Sequence, residues 1–292
     1  MEKLNELALF AGIGGGILGG SILGWRTVCA VEIDPYARGV LCARQNDGYL
    51  SPFPIWDDIR TFDGRPWSGI IDIITGGFPC QDISIAGKGG GIESERSGLW
   101  SEMYRIIREV MPKYVYIENS PFLRTRGIEV IFQNLADCGY NAEWGIVPAS
   151  AVGAPHERKR LWILAHRNVY GCTYRQNDRG DCCNGGESKT ASANKKWNTL
   201  FNGIRENASI LENKTGGGFI SDKREMDNSK QQAPGGYFEI AGTDGWFETE
   251  PELDRVVDGV PHRVERINGI GNAQVPRVAA EAFNRLKSRI NT

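Results

Sequence analysis

The chain has 292 residues, of which 40% are hydrophobic and 24% charged. This is typical of a soluble globular protein with one large domain and a smaller one. No apolar run approaches the roughly 18 residues of a membrane helix, and the N-terminus lacks a signal-like block, so the sequence predicts a cytoplasmic protein. The net charge of −2 excludes a uniformly basic surface, but residues 151–236 carry 14 lysines and arginines against 9 acids. That segment is the one suited to a polyanion.

Strand-like and helix-like segments alternate from the N-terminus to residue 166. Short apolar runs predict strands at 7–10, 28–31, 70–75, 114–117, 143–147 and 161–165. Helical patterns follow the first strand to residue 23 and recur at 99–110, 128–138 and 275–290. Strands that alternate with helices form a parallel sheet covered on both faces. We therefore predict an α/β fold with a doubly wound, mostly parallel sheet.

The composition changes near residue 168, where Asn, Gly, Ser and Lys replace the apolar runs. This change predicts a small loop-rich domain or partial disorder. We divide the chain into a catalytic and cofactor-binding domain at 1–166, a small domain at 167–249 and a C-terminal segment at 250–292. That segment is expected to return to the first domain.

A glycine loop follows the first predicted strand, and two interpretations of it are open. The glycines at 14, 16 and 19 fit a dinucleotide-binding fingerprint. Alternatively, Phe10, Gly12 and Gly14 form a turn over which an adenosyl group could lie. In either case glycines let a ligand approach the backbone, and Glu32 at the end of the second strand can bind both ribose hydroxyls.

Cys80 occupies an unusual place for a cysteine. Two glycines and a proline stop the strand at 70–75 and put this thiol in a loop at the carboxyl edge of the sheet, where ligands gather. A thiolate is very nucleophilic, although few thiols are ionised at neutral pH. Arg158, Arg160 or a histidine brought in by the fold could activate it. The glycine-rich segment 81–98 is a candidate closing lid.

Glu118 ends the strand at 114–117 and is expected at the same edge as Cys80. Partial burial would raise the pKa of its carboxyl group, which could then donate a proton to a ring nitrogen. Arg158 and Arg160 alternate before the next strand, so an extended backbone would point both to one side.

Three cysteines with apolar neighbours are predicted to fill the core: Cys29, Cys42 and Cys138. Seven cysteines without a framework spacing indicate a reducing compartment, and Cys172, Cys182 and Cys183 match no zinc pattern, so no metal is predicted.

Seven motifs occur in an order that is typical of one enzyme family. They are LFAGIGG (9–15), VEIDPYA (31–37), DDI (57–59), GGFPCQ (76–81), EN (118–119), PHERKR (155–160) and GNAQVP (271–276). With them the chain resembles the DNA cytosine-5 methyltransferases of bacterial or phage type over residues 7–166 and 250–290. It departs from the family pattern at Ala8, where an acid is usual, and at Ser120 and His156, where Val and Gln are common.

The resemblance implies a mechanism. Cys80 would attack C6 of a cytosine flipped out of the duplex, which makes C5 nucleophilic toward the methyl group of S-adenosyl-L-methionine. Glu118 would hold N3 and the exocyclic amine, Arg160 would contact the carbonyl oxygen, and Arg158 would organise the pocket around the thiol. Loss of the C5 proton would then release Cys80.

The resemblance also implies a pocket for S-adenosyl-L-methionine, in which Glu32 binds the ribose and Asp58 the adenine amine. The residues that match its lining are Phe10, Gly12, Gly14, Glu32, Ile33, Asp58, Ile59, Pro79, Leu99 and Asn272. This favours the adenosyl interpretation of the glycine loop.

The resemblance implies double-stranded DNA as the partner, with residues 167–249 as the target-recognition domain. A monomer is expected, encoded by a phage or by a restriction-modification system with a cognate endonuclease. An NAD-dependent dehydrogenase would leave Cys80 and Glu118 without a role. An RNA cytosine methyltransferase is disfavoured by that pairing of cysteine and acid, and a non-catalytic DNA-binding regulator by the intact Cys80, Glu118 and Arg160.

Overall fold

A computed structural model describes residues 2–79, 98–125, 127–167 and 262–290, together with the backbone of 175–176 and 182–183. Seven strands form the main sheet: β1 Asn5–Leu9, β2 Arg26–Val31, β3 Ile55–Trp56, β4 Ile73–Gly76, β5 Tyr114–Asn119, β6 Tyr140–Val147 and β7 Arg160–Arg167. A separate pair is formed by β8 Arg175–Gln176 and β9 Cys182–Cys183. The helices are α1 Gly15–Ile22, α2 Pro35–Asn46, α3 Gly98–Val110, α4 Ile128–Asp137, α5 Arg263–Asn272 and α6 Pro276–Ile290.

The main sheet has the strand order β3-β2-β1-β4-β5-β7-β6. β7 runs antiparallel to both of its neighbours, and the other pairs are parallel. The predicted α/β class with a mostly parallel sheet is confirmed. The link between β6 and β7 contains only the short 3-10 helix Ala149–Val152, whereas a parallel return usually runs through an α-helix, so the reversal of β7 agrees with this link.

Helices cover both faces of the sheet. On one face α3 and α4 bury Met103, Ile106 and Phe132 against the strands. On the other, α6 packs beside α1 and buries Phe283 in a cluster with Trp25 and the strand residues Tyr116 and Trp162. The hydroxyl of Tyr116 donates a 2.7 Å hydrogen bond to the carbonyl of Ala279 and ties the sheet to α6. The predicted C-terminal helix therefore packs against the main sheet and α1.

The cysteine predictions have mixed outcomes. Cys29 and Cys138 are buried, as predicted, but Cys42 is exposed. The prediction for Cys42 is wrong because α2 buries the side that carries Ala37 and Leu41, and the next position lies about 100° around the helix. Cys80 and Cys172 lie outside the described residues. Of the small domain predicted at 167–249, the structure describes only residue 167 and the backbone of the β8–β9 pair, so the predicted domain division stays a prediction. Among the described residues, no helix is long and apolar enough to cross a membrane.

One ionisable side chain lies in the core of the sheet. Glu6 of β1 is fully buried. Its carboxyl group accepts a 2.6 Å hydrogen bond from the hydroxyl of Thr27 on β2 and a 2.8 Å one from the hydroxyl of Thr75 on β4. Burial raises the pKa of Glu6 to about 7, although the two hydrogen bonds act in the opposite direction.

Candidate active site

A cavity of about 840 Å³ opens at the carboxyl edge of the sheet, beside the ends of β1, β2, β4 and β5. In open α/β sheets this is the edge at which ligands bind. The cavity brings together most of the residues that the sequence singled out: Phe10, Gly12, Glu32, Ile33, Asp58, Ile59, Pro79, Leu99, Glu118, Arg160 and Asn272.

The loop after β1 is shaped by two residues with left-handed backbone, Phe10 with φ 53° and Gly12 with φ 54°. The backbone N–H of Gly12 donates a 2.6 Å hydrogen bond to Oε2 of Glu32. The other oxygen of Glu32 accepts a 2.8 Å hydrogen bond from the N–H of Asp34. Glu32 thus fixes the loop after β1 to the end of β2 and also lines the cavity.

The other glycines of this loop pack against protein. Gly14, with φ 93°, precedes α1 and is not among the residues that line the described cavity. A Cβ on Gly16 would lie 2.7 Å from Oε1 of Gln274, and one on Gly19 would lie 2.7 Å from Cβ of Ala279. The glycine spacing that suggested a dinucleotide is therefore explained by close packing: Gly14 lies against Leu41 of α2, Gly16 against the α5–α6 loop and Gly19 against α6.

The cavity combines apolar walls with carboxylates. Ile33 has 61% of its surface exposed beside Glu32, and Phe10 and Leu99 add further apolar surface. Arg60 forms a two-point ion pair with Asp58, and its hydrogen bonds lower the pKa of that carboxyl group. Apolar surface next to fixed carboxylates suits a ligand that has both a flat ring and hydroxyl or amino groups.

Glu118 lies at the end of β5, where its side chain is only 13% exposed. Nε of Arg160 lies 3.0 Å from its Oε1. Burial raises the pKa of Glu118, and the charges of Arg160 and Arg158 and a hydrogen bond from Gln274 oppose that rise. The next residue, Asn119, donates a 3.0 Å hydrogen bond to the carbonyl of Phe78, two residues before Cys80.

Arg158 and Arg160 have different bonding partners. Arg158 has left-handed backbone with φ 31°. Its Nη2 donates hydrogen bonds of 2.6 Å and 2.7 Å to the carbonyls of Gly271 and Ala273, between α5 and α6. Arg160 instead pairs with Glu118. Arg158 therefore holds the end of α5, where Asn272 lies, and the start of the loop that follows it, and its charge also acts on Glu118.

Cys80 and residues 81–97 lie outside the described residues. The residues on either side of this segment, Pro79 and Gly98, both line the cavity. Cys80 therefore follows directly after a residue of the cavity wall. Its thiol and the lid predicted for this segment stay predictions.

The family model of the C-5 cytosine-specific DNA methylases matches residues 4–287. The chain belongs to this family. It is similar to the type II methyltransferase M.CviJI of Paramecium bursaria Chlorella virus IL3A, with 37% identity over 170 residues, 58% of this chain and 44% of that protein. It is also similar to M.Eco47II of Escherichia coli, with 36% identity over 171 residues, 56% of this chain and 39% of the relative. The matched part is about half the length of these relatives or less.

Among solved structures, the chain is similar to the Dnmt2 methyltransferase of S. pombe, with a TM-score of 0.48 and 27% identity over 58% of this chain and 53% of that one. The family match confirms the resemblance seen in the motifs. In the glycine loop, Phe10 and Gly12 of the adenosyl interpretation line the cavity, whereas Gly14, which both interpretations share, does not, and neither do Gly16 and Gly19.

Gln274 is a site residue that was not predicted from the sequence. Asn272 was predicted from the GNAQVP motif, but the polar residue two positions later, which reaches Glu118, was not. A long polar side chain between Ala273 and Val275 was the available signal, because such a side chain needs a partner if the fold buries it.

Proposed function

We propose that the chain is a DNA cytosine-5 methyltransferase, which transfers the methyl group of S-adenosyl-L-methionine to C5 of a cytosine flipped out of duplex DNA. The observation that carries the proposal is the ion pair of Glu118 and Arg160 on the wall of a large cavity whose lining also includes Pro79, the residue that precedes Cys80. Membership of the C-5 cytosine-specific methylase family supports it.

The side chains suit the chemistry that attack on cytosine requires. A bond from Cys80 to C6 puts negative charge on the ring, mainly toward N3 and the carbonyl oxygen. Glu118 has its pKa raised by burial and so can share a proton with N3. Arg160 lies beside Glu118, and its positive charge favours negative charge on the carbonyl oxygen of the base. Loss of the C5 proton after methylation then lets Cys80 leave and restores the ring.

The cavity fits S-adenosyl-L-methionine, which supplies the methyl group when it is bound. Glu32 would accept hydrogen bonds from the ribose hydroxyls, and Asp58 from the adenine amine. Phe10, Ile33 and Leu99 provide apolar surface on which a purine can pack. Asn272 lines the same cavity and is held there by the bonds of Arg158 to the neighbouring carbonyls.

Double-stranded DNA is the proposed substrate, and flipping a cytosine out of it costs a few kcal/mol. The basic balance of residues 151–236 suits phosphate contacts that help to offset this cost. We assign residues 167–249 to target recognition and expect a monomer that acts in the cytoplasm of a bacterium or an infected cell. A cognate restriction endonuclease is its expected partner in a restriction-modification system.

The test is transfer of a labelled methyl group to duplex DNA, followed by bisulfite sequencing to locate the modified cytosine. Cys80→Ala should abolish transfer and keep S-adenosylhomocysteine binding in calorimetry, whereas Cys42→Ala on the exposed side of α2 should keep the full rate. A duplex with 5-fluorocytosine at the target should give a covalent adduct, since its C5 has no removable proton. Full activity of Cys80→Ala, or faster methylation of RNA than of DNA, would refute the proposal.

A further inference from the structure

Gln274 is seated between the glycine loop and the candidate catalytic acid. A Cβ on Gly15 would overlap the carbonyl oxygen of Gln274, and one on Gly16 would lie 2.7 Å from its Oε1. A Cβ on Gly77 would lie 3.4 Å from its Nε2 and 2.8 Å from Oε2 of Glu118. Gly16 and Gly77 therefore leave the space that this side chain fills, and Gly15 leaves the space for the backbone carbonyl of Gln274.

The nitrogen end of the Gln274 amide faces Glu118. Oε1 of Gln274 lies over Gly16, whereas Nε2 and Oε2 of Glu118 lie together over Gly77. An ionised carboxyl group only accepts hydrogen bonds, so the amide N–H of Gln274 donates to it. The carboxyl group of Glu118 is thus bound on one oxygen by Arg160 and on the other side by Gln274.

The loop that carries Gln274 is itself well held. The backbone N–H of Ala273 donates a 3.0 Å hydrogen bond to the carbonyl of Gly269. Its carbonyl accepts the 2.7 Å hydrogen bond from Arg158. A second cavity, of about 60 Å³, is lined by Gly16, Gly77, Glu118 and Gln274. The amide therefore approaches Glu118 from a braced loop.

We propose that Gln274 is a positioning residue, whose side-chain amide fixes the orientation of the Glu118 carboxyl group while Arg160 binds its other oxygen. Its part in methyl transfer rests on the proposed function, whereas its effect on Glu118 does not. A carboxyl group held on both sides presents one defined face to a base in the large cavity. Catalysis gains from such fixed geometry because no reorganisation is needed during the reaction.

The contact also affects protonation. A hydrogen bond donated to a carboxylate favours the ionised form, so loss of the Gln274 amide should raise the pKa of Glu118 further. The charged and titratable groups that act on Glu118 in the described part are Arg158 and Arg160 before and on β7, and Tyr116 on its own strand. None of these side chains is changed by a substitution at Gln274.

The decisive variant is Gln274→Met, which keeps the length of the side chain and removes the amide. Titration of ¹³C-labelled glutamate carboxyls by NMR, with Glu118→Gln to assign the signal, should show a higher pKa for Glu118 than in the wild type. The single-turnover rate of methyl transfer should fall about tenfold. The rate of methyl transfer should fall at high pH, as Glu118 loses its proton, and in the variant this fall should occur at a higher pH than in the wild type. Gln133→Met, which removes an exposed hydrogen bond to Asp137 on α4, should change neither quantity.

Gly16→Ala is a second route to the same contact, since its methyl group would displace Oε1 of Gln274 and should also raise the pKa of Glu118. An unchanged pKa of Glu118 in folded Gln274→Met would overturn the inference. A lower rate of methyl transfer with an unchanged pH dependence would also overturn it, because a residue with only a structural role would give that result. If the wild type transfers no methyl group, the proposed function fails, and the NMR titration still decides whether Gln274 controls Glu118.

Discussion

Replacing Glu6 by Gln should stabilise the protein, and the gain should grow with pH. The fully buried carboxyl group has a pKa of about 7 against an ordinary value of 4.5. Between these values the folded state retains a proton that the unfolded state releases, so the free energy of unfolding falls as the pH rises. Each pKa unit corresponds to about 1.4 kcal/mol. The buried carboxyl group therefore lowers the free energy of unfolding by about 3 kcal/mol above pH 7 and does not lower it below pH 4.5. A neutral amide of the same shape avoids this cost, and it can still pair with Thr27 and Thr75.

Urea unfolding followed by tryptophan fluorescence at pH 5, 6, 7 and 8 measures the effect. Glu6→Gln should differ little from the wild type at pH 5 and should gain about 3 kcal/mol at pH 8. Glu129→Gln, on the exposed surface of α4, should change stability by under about 1 kcal/mol at every pH. An equal effect of Glu6→Gln at pH 5 and pH 8 would show that the buried carboxyl group is not protonated in the way we infer.

Three further substitutions test the site and its support. Glu32→Gln replaces one of the two acceptor oxygens of Glu32 by a donor, so S-adenosylhomocysteine should bind about tenfold or more weakly in calorimetry. An unchanged affinity would contradict the role of Glu32 in binding the ribose. Arg158→Met removes two hydrogen bonds to the α5–α6 loop, so hydrogen exchange in that loop should quicken and cofactor affinity should fall; wild-type exchange there would argue against bracing. Gly19→Ala puts a methyl group 2.7 Å from Cβ of Ala279 and should cost about 1–3 kcal/mol in unfolding, whereas Gly39→Ala, in open space on α2, should gain up to about 1 kcal/mol. Equal effects of the two alanines would refute the packing argument.

The fold was predictable where one apolar pattern determines one element. The run at 114–117 predicted β5, and the helical spacing from Leu99 predicted α3. α5 was missed because none of its residues is buried, so it has no apolar face toward the core. The reversal of β7 was missed because a short apolar run does not encode strand direction, which depends on the length and path of the link before it.

The candidate site was predictable where the chemistry resides in motifs. Glu32, Glu118 and Arg160 follow or begin strands and lie at the same edge. The role of Arg158 as a brace was not predictable, since it depends on one left-handed backbone angle and on carbonyls more than a hundred residues away. Glu6 was missed for a similar reason. Its two threonine partners are distant in sequence and become neighbours only when β2 and β4 pair with β1.

The direction of β7 determines whether the positive charge of Arg160 lies at the cavity. In the antiparallel pair of β5 and β7, β7 begins where β5 ends, with Trp162 opposite Glu118. If the same eight residues ran parallel to β5, their first residue would start at the opposite edge, about 23 Å away along the strand. Arg160 would then emerge among the amino ends of the strands, and Glu118 would lose the cation that now lies 3.0 Å from it. A single reversed strand therefore delivers the positive charge to an edge that would otherwise carry mainly acids.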